Sequence, residues 1–172
     1  MNKILTVTNE YFTIKTKVDR AIYKQFELYL YNWYAQYVCG TMKIYTYVKK
    51  GKRTKFLYLH RLITACPKNK VVDHIDGDGL NNTLKNLRIC SRSKNCLNKG
   101  RSKTKEYSSK YLGVSWDGRI ESKPWRAHCS HNNKSLNLGY FASEKEAARV
   151  RDQKVLKLRG KFARLNFPHP GA

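Results

Sequence analysis

The stretch from Val71 to Asn95, VVDHIDGDGLNNTLKNLRICSRSKN, decides the fold of the first half of this chain. Residues 70–74 predict a short strand that ends in an adjacent Asp and His, and the polar residues 76–82 predict a turn-forming loop. Leu87–Cys90 predicts a second strand. The stretch therefore predicts a two-stranded hairpin that carries an acidic and an imidazole side chain next to its loop.

A basic helix is predicted to follow this hairpin. Ser91 is a good N-cap, and a helix through about Lys99 would carry Asn95 on its first or second turn. If that helix folds back over the hairpin, Asp73 and Asn95 bring two hard oxygen ligands to one divalent cation. His74 would lie beside that cation.

This arrangement suits the hydrolysis of a phosphodiester. A divalent cation stabilises charge on the scissile phosphate and the leaving oxygen, and a neutral imidazole deprotonates water. His74 is suited to that task because the ordinary pKa of histidine lies near neutral pH. Asn86, just before the second strand, is predicted to hydrogen-bond across the loop and hold the hairpin, so that His74 presents the correct nitrogen.

Other interpretations of these residues stay open. An Asp-His pair in a turn can belong to a solvated loop, and the DGDG run at 76–79 resembles part of a calcium loop, although no acidic residue closes an EF-hand at its usual position. His60 lies in the apolar run Phe56–Ile63 and is either a core histidine or a phosphate contact. Arg61 beside it is a second candidate phosphate contact.

The hairpin and helix together resemble the HNH nuclease family, whose site is a ββα-metal unit. The resemblance lies in D-H-I at Asp73, N-L at Asn86 and the helix-borne Asn95, and the upstream run Leu59–Ile63 resembles the version found in phage and intron-encoded homing endonucleases. It implies that Asp73 and Asn95 are metal ligands, His74 the general base and Asn86 the positioning residue. Because Asn95 stands where the last His of the motif is usual, magnesium or manganese is favoured over zinc.

The chain carries a large excess of positive charge. Its 35 Lys and Arg against 12 Asp and Glu give a net charge of +23 over 172 residues. This excess predicts a polyanionic partner, and a hydrophobic content of 41% is enough for one or two small folded cores. Charge alone does not choose between DNA and RNA, so a ribosome-associated or other RNA-binding protein is an open alternative.

The cysteines and the lack of long apolar stretches indicate a protein inside the cell. The five cysteines are an odd number without a C-x-x-C pair or zinc-knuckle spacing, and we expect them to be buried free thiols. No stretch approaches membrane-spanning length, and the N-terminus MNKILTVTNEYF lacks the features of a secretory peptide. We therefore expect no membrane partner, no secretion, and a location in the host cytoplasm or nucleoid, or in a eukaryotic nucleus.

Composition divides the chain into two domains. Tyr11–Arg61 predicts short strands of a small sheet, with a basic hairpin turn at 49–52. Residues 99–110, KGRSKTKEYSSK, predict a linker. We therefore expect an endonuclease domain at 1–99, a basic linker at 100–110, a second domain at 111–168 and a tail at 169–172.

The second domain is predicted to be a three-stranded antiparallel sheet packed on one helix. Strands are expected at Tyr111–Trp116, Trp125–Cys129 and Ser135–Phe141. A capping box of Ser143 and Glu146 and a left-handed stop at Gly160 predict a helix from Glu144 to Arg159. The fold class of the whole chain is α+β: a small N-terminal sheet, a ββα-metal unit, and this C-terminal sheet and helix.

The second domain resembles the Apetala-2/ethylene-response-factor DNA-binding domain over nearly all of 111–168. The resemblance lies in the blocks YLGVSW, WRA, LGYFASEKEAAR and LRGKFARLNFP. In that family the sheet contacts DNA, which implies contacts from Ser115, Asp117, Arg126, His128, Ser130, Ser135 and Asn137. Several of these residues replace arginines and a tryptophan typical of the plant members, so the plant target sequence cannot be transferred.

These features together predict a site-specific DNA endonuclease with one divalent metal ion and a histidine base. Double-stranded DNA is the expected partner, bound by a monomer or by a dimer that forms on DNA. The charge run at Lys94, Lys99, Arg101 and Lys103 is expected either to contact phosphates or to be a solvated surface. The alternative function is a transcription regulator in which the HNH unit is an inactive scaffold.

Overall fold

The chain folds into two compact units, Met1–Cys96 and Leu97–Ala172. The computed structural model describes residues 1–8, 12–38, 40–50, 52–98, 100–101, 105–132 and 134–167, without the Lys50 side chain. Both units combine small antiparallel sheets with short helices. The predicted α+β class is confirmed.

The first unit begins with a hairpin. Strand β1 (Asn2–Thr8) pairs antiparallel with β2 (Thr13–Asp19), and helix α1 (Arg20–Gln25) follows. Val18 is fully buried and Ile22 is buried beside it in the core of the unit. Strand β1 lies before residue 11, where the sequence predicted the sheet to start, so the prediction missed β1, although Leu5, Thr6 and Val7 alternate as in a strand.

A second sheet has three antiparallel strands in the order β3-β4-β5. These are β3 (Tyr34–Val38), β4 (Thr41–Lys50) and β5 (Arg53–Tyr58). Lys50 pairs with Arg53, so the predicted basic turn joins β4 to β5, although residue 51 lies outside the described residues. Ile44 of β4 is buried in the core, which lies on one side of the sheet.

The segment quoted above forms the predicted hairpin and helix. Helix α2 (Leu59–Thr64) precedes it, strand β6 (Val71–His74) pairs antiparallel with β7 (Leu87–Cys90), and α3 (Arg92–Leu97) follows. The helix ends two residues before the predicted Lys99, which lies outside the described residues. Buried side chains of α2, β6 and β7 join the same core as the two N-terminal sheets.

The second unit is a three-stranded sheet packed on one long helix, as predicted. Strands β8 (Val114–Trp116), β9 (Trp125–His131) and β10 (Lys134–Phe141) lie in the order β10-β9-β8, and α4 (Glu144–Arg159) follows. The core is formed by Val114, Ala127, Ala147 and Ala148, which are all buried. Small residues at these positions let the helix lie close to the sheet.

The ends of α4 differ in detail from the prediction. Ser143 is extended but makes no side-chain cap hydrogen bond, so the predicted capping box is wrong. Glu144 instead accepts hydrogen bonds from the Ser109 hydroxyl and the Lys110 N–H. Gly160 has φ of 52° and ψ of −134°, which is outside the left-handed helical region, although it is still a conformation that favours glycine.

The cysteines are only partly buried. Cys90 and Cys129 are buried free thiols, as predicted, whereas Cys66 is half-buried and Cys96 is exposed on α3. Cys39 lies outside the described residues. In the described part of the chain, no helix combines the length and the apolar character that crossing a membrane requires.

Candidate active site

The hairpin of β6 and β7 carries Asp73 and His74 at the end of β6. In the register of the two strands, Asp73 lies opposite Arg88 and His74 opposite Leu87. Both Asp73 and His74 are buried. Two buried ionisable side chains side by side must have polar partners, because burial of such groups without partners is costly.

The partner of Asp73 is Arg88. The Nε and Nη2 groups of Arg88 donate to Oδ2 of Asp73 at 2.8 Å and 2.6 Å. This pair supplies a positive charge to a buried carboxylate and fixes the orientation of its plane. Sequence reasoning missed Arg88, because the predicted hairpin did not specify the register that places Arg88 opposite Asp73.

The partner of His74 is Asn82, which is 1% exposed. Oδ1 of Asn82 lies 3.3 Å from Nε2 of His74, and its amide nitrogen donates to Oγ1 of Thr16 at 2.8 Å and to the carbonyl oxygen of Gly79 at 3.1 Å. Because a carbonyl oxygen can only accept, the contact with Gly79 fixes which end of the amide faces His74. Nε2 of His74 therefore carries the proton, and the basic lone pair is on Nδ1.

Burial keeps this imidazole neutral. It lowers the pKa of His74, and the hydrogen bond to Asn82 and the negative charges of Asp76 and Asp73 only partly oppose it. A neutral imidazole with one defined basic nitrogen is the form that a general base needs. The predicted role of His74 as a general base would require these two properties.

His60 lies directly against His74, with 5.4 Å between ring centroids. Its other neighbour is Tyr58, whose ring is stacked on it at 5.5 Å. Burial is the main cause that lowers the pKa of His60 to about 3, with a further contribution from His74. With 6% of its surface exposed, His60 is a neutral core histidine and not an exposed cation for a phosphate.

The loop between the strands is braced by Asn86. The amide nitrogen of Asn86 donates to Oδ1 of Asp76 at 2.9 Å and to the carbonyl oxygen of Asn81 at 2.7 Å, and its Oδ1 accepts from the Asp76 N–H at 3.1 Å. Burial would raise the pKa of Asp76, but hydrogen bonds from Asn81, the Asp78 N–H and Asn86 outweigh it and lower that pKa. Asn86 thus makes the kind of cross-loop contact that the sequence predicted.

The N-terminal hairpin holds the same loop from outside. The Lys17 N–H donates to the Leu80 carbonyl and the Asn82 N–H to the Lys17 carbonyl, each at 2.8 Å. Gly79 lies so close to β4 that a Cβ atom there would be 1.9 Å from the carbonyl oxygen of Met42. The loop that carries Asn82 is therefore fixed by two sheets that are remote in sequence.

Asn95 lies on α3, as predicted, and is half-buried. Its N–H donates to the Ser91 carbonyl at 3.0 Å, and the Ser91 hydroxyl accepts from the Lys94 N–H at 3.3 Å, so the predicted N-cap at Ser91 is confirmed. Asp73 and Asn95 offer one carboxylate and one amide oxygen, a donor set that fits magnesium, which keeps several waters and phosphate oxygens in its shell. Among the described residues, no three His, Cys, Asp or Glu side chains cluster as possible ligands.

Arg61 braces the turn that follows α2. Its guanidinium donates to the carbonyl oxygens of Cys66, Pro67 and Lys70 at 2.8–3.0 Å. These three bonds satisfy the backbone of the turn between α2 and β6. Arg61 therefore has a structural role in this turn, and its phosphate contact stays a prediction.

Arg101, which belongs to the predicted charge run, also donates to backbone carbonyl oxygens. Arg101 donates to the carbonyl oxygens of Ser109 and Tyr111, and its guanidinium lies 4.4 Å from the ring centroid of Tyr107. Its hydrogen bonds hold the segment before β8, within the second unit. Lys94 is exposed on α3, whereas Lys99 and Lys103 lie outside the described residues.

On the sheet of the second unit, the predicted alternation is present along β9. Ala127 and Cys129 are buried against α4, and Arg126, His128 and Ser130 lie on the other face. The remaining predicted contacts on that face are Ser115, which is half-buried, and Ser135 and Asn137, which are exposed. Arg126 donates to Oδ1 of Asn137 at 3.3 Å, burial lowers the pKa of His128, and Arg159 donates to the Ser130 carbonyl at 2.6 Å.

Asp117 is engaged by a residue that the sequence did not single out. Arg119 donates from Nε to Oδ1 of Asp117 at 2.8 Å and from Nη2 to Oδ2 at 2.5 Å, and the Tyr140 hydroxyl donates to Oδ2 at 3.3 Å. Hydrogen bonding by Arg119 is the main reason that the pKa of Asp117 is lowered. The Arg119 side chain is 75% exposed, so the Asp117–Arg119 pair presents the arginine and not the carboxylate to solvent.

Comparison with known proteins agrees with the geometry of the first unit. Residues 58–97 match the family model of the HNH endonuclease. An uncharacterized HNH endonuclease of Acanthamoeba polyphaga mimivirus is 27% identical over 143 residues, which cover 79% of this chain and 67% of the relative. The matched segment contains Asp73, His74, Asn86 and Asn95. The chain thus contains an HNH endonuclease domain at residues 58–97, which supports a nuclease function.

Proposed function

We propose that this chain is a metal-dependent endonuclease that hydrolyses phosphodiester bonds of double-stranded DNA, with His74 as the general base. The observation that carries the proposal is the buried His74 whose Nε2 is held by Asn82, next to the carboxylate of Asp73. A base must have the right protonation state and a fixed direction, and both features are present here.

His74 would take a proton from the attacking water at Nδ1. Asn82 holds the opposite nitrogen, so the ring cannot change tautomer without losing that hydrogen bond. Because burial lowers the pKa of His74, the ring is neutral at neutral pH. Asn86 acts indirectly. It holds the loop that carries Asn82 and does not itself contact the reacting atoms.

Asp73 and Asn95 are the residues that would hold a single divalent cation, magnesium or manganese in preference to zinc. Such a cation would stabilise the charge that develops on the scissile phosphate and on the leaving oxygen. Arg88 keeps the Asp73 carboxylate oriented through Oδ2. Two ligands from the protein leave most of the coordination shell for water and substrate, as is usual for magnesium.

The second unit would supply affinity and register on the duplex, as a domain of Apetala-2/ethylene-response-factor type. Its sheet has the size of elements that enter a major groove, and the face away from α4 carries Arg126, His128 and Asn137. The exposed Arg119, held by Asp117, is a further candidate on this unit. The net charge of +23 supports a long phosphate-binding surface.

A site-specific endonuclease of this kind fits the homing class. One active site per chain would nick one strand, and a pair of chains on DNA would cut both. A location inside the cell, with access to DNA, follows from this function.

The test is cleavage of supercoiled plasmid with magnesium or manganese, with EDTA as the metal control. Wild type should convert the plasmid to open-circle or linear DNA, and His74→Ala should reduce the rate by about 10²–10⁴-fold. His131→Ala, a histidine change in the second unit, is the matched control and should cleave normally. Equal rates for wild type and His74→Ala would disprove the assigned base, and tight binding without cleavage would favour a DNA-binding regulator.

A further inference from the structure

The outer face of the β3-β4-β5 sheet is aromatic and solvent-exposed. Along β4, Ile44 and Thr46 are buried on the core side, so Tyr45 and Tyr47 lie on the opposite side. In the strand register, Tyr45 is opposite Tyr34 and Tyr58, and Tyr47 is opposite Phe56. We define the aromatic face as these five rings: Tyr34, Tyr45, Tyr47, Phe56 and Tyr58.

The five rings form one connected surface. Centroid distances are 5.0 Å for Tyr47–Phe56, 5.2 Å for Tyr45–Phe56 and 5.3 Å for Tyr34–Tyr47. Tyr47 is 45% and Phe56 56% exposed. Large aromatic rings grouped at the surface usually mark a binding site, because their exposure to water is unfavourable.

The aromatic face leads to the candidate base. Tyr58 stacks on His60 with 22° between the ring planes, and His60 contacts His74 edge to face. All of these residues belong to the first unit. The edge of the aromatic face at Tyr58 therefore lies two ring contacts away from the site proposed for phosphodiester hydrolysis.

The charge around the aromatic face suits a polyanion. Lys43 and Lys49 lie on the same side of β4 as Tyr45, and Nζ of Lys43 is 5.9 Å from the ring centroid of Tyr58. Residues 34–58 include lysines and an arginine but no Asp or Glu. Burial, with the neighbouring tyrosines, raises the pKa of Tyr45 to about 12, so that hydroxyl adds no negative charge at neutral pH.

We propose that the aromatic face binds unpaired bases of the DNA strand next to the bond that is cleaved. Aromatic rings stack on bases of any sequence, and the flanking lysines neutralise the phosphates between them. Stacking of opened bases would hold the strand at the site while the second unit grips paired DNA. This inference rests on the proposed nuclease function, but the DNA-binding experiment that tests it does not require cleavage.

The measurement is DNA binding by the full chain in EDTA, which removes cleavage from the readout. Fluorescence anisotropy is measured with a 30-base-pair duplex and with the same duplex opened by a five-nucleotide bubble that contains 2-aminopurine. We expect the chain to prefer the bubble and to quench 2-aminopurine on binding. Tyr47→Ala combined with Phe56→Ala should lower the affinity for the bubble by about tenfold or more, abolish the quenching and leave duplex affinity unchanged.

Tyr37→Ala is the matched control, because Tyr37 is 57% exposed on the same sheet but not on the aromatic face. It should keep the bubble preference, and Tyr47→Trp should keep it too. If the double variant loses its fold, as circular dichroism would reveal, Phe56→Leu replaces it and should still reduce quenching.

Equal bubble and duplex affinity in wild type, or unchanged quenching in a folded variant, would overturn the proposal. The proposal would also fail if wild type sediments as a dimer and the same substitutions dissociate that dimer without an effect on quenching. A preference for RNA over the DNA bubble would overturn it as well. Failure of plasmid cleavage would leave this result intact, so the two proposals fail separately.

Discussion

Acidification should destabilise the first unit through His60. The folded chain holds the pKa of His60 at about 3, mainly through burial and then through His74, Lys43 and Arg61. The unfolded chain binds a proton below about 6.5, so as pH falls from that value the unfolded state gains protons that the folded state does not. One pKa unit corresponds to about 1.36 kcal/mol. At pH 5, about 1.5 units below the unfolded value, His60 should cost about 2 kcal/mol of the free energy of unfolding.

The substitution that removes this effect is His60→Gln, which keeps a polar planar group and cannot be protonated. Urea unfolding at pH 7 and pH 5, followed by NMR at the amides of Ile44 and Leu59, reports on the first unit alone. Between these pH values, wild type should lose about 2 kcal/mol more than His60→Gln. His131→Gln is the control and should behave as wild type. Equal losses in wild type and His60→Gln would refute the argument, and so would a ring titration of His60 near pH 6.

Three other substitutions test the partners of the buried charges and of the base. Asn82→Ala should lower kcat by about 10–100-fold with little change in DNA affinity, because His74 loses the acceptor that fixes its tautomer. Single-turnover cleavage measures the rate and fluorescence anisotropy measures the affinity. An unchanged cleavage rate would contradict the role assigned to Asn82. Arg88→Ala should lower the free energy of unfolding by about 3–5 kcal/mol, because the buried carboxylate of Asp73 loses its positively charged partner. A loss below about 1 kcal/mol in urea unfolding would count against this prediction. Asp152→Ala should destabilise the second unit by at least about 3 kcal/mol, because its carboxylate accepts three hydrogen bonds from residues 166 and 167, as thermal unfolding would measure.

The elements around the candidate site were predictable because their signals are local. A short apolar run, a polar loop and a second run gave the β6-β7 hairpin, and Ser91 marked the start of α3. The long helix was placed at the correct residues, Glu144–Arg159, even though the capping box offered for its start does not form. Ser143 and Gly160 do flank the helix, as the prediction required, although neither residue adopts the capping geometry that was expected of it.

The partners of the site residues were not predictable in the same way. The Asn82 amide that contacts His74 is held by Gly79 in its own loop and by Thr16, which is 66 residues earlier in the chain. No periodicity or motif links these two positions. The pairing of Asp73 with Arg88 needed an exact register between two strands, which hydrophobic pattern sets only when one face is clearly buried.

The basic residues explain why charge is a poor guide to binding roles. Arg61, in the apolar run 56–63, and Arg101, in a basic stretch, were both expected to contact phosphates, and both donate to backbone carbonyls of nearby turns. A guanidinium has five donors, so it can serve as a backbone brace as well as a phosphate ligand. The sequence alone does not distinguish an arginine that braces the backbone from one that binds a phosphate.

The bonds between the N-terminal hairpin and the loop at 79–82 limit how this nuclease can be divided. Thr16 and Lys17 supply a donor each to the Leu80 carbonyl, and Asn82 donates back to Lys17. A fragment cut at the start of the family match, residue 58, would lose these partners and with them the support of Asn82, which contacts the proposed base His74. Because such long-range contacts form slowly, the loop at 79–82 should become ordered late in folding. We therefore expect that a chimera built from the HNH endonuclease domain needs the whole unit Met1–Cys96, including the first hairpin.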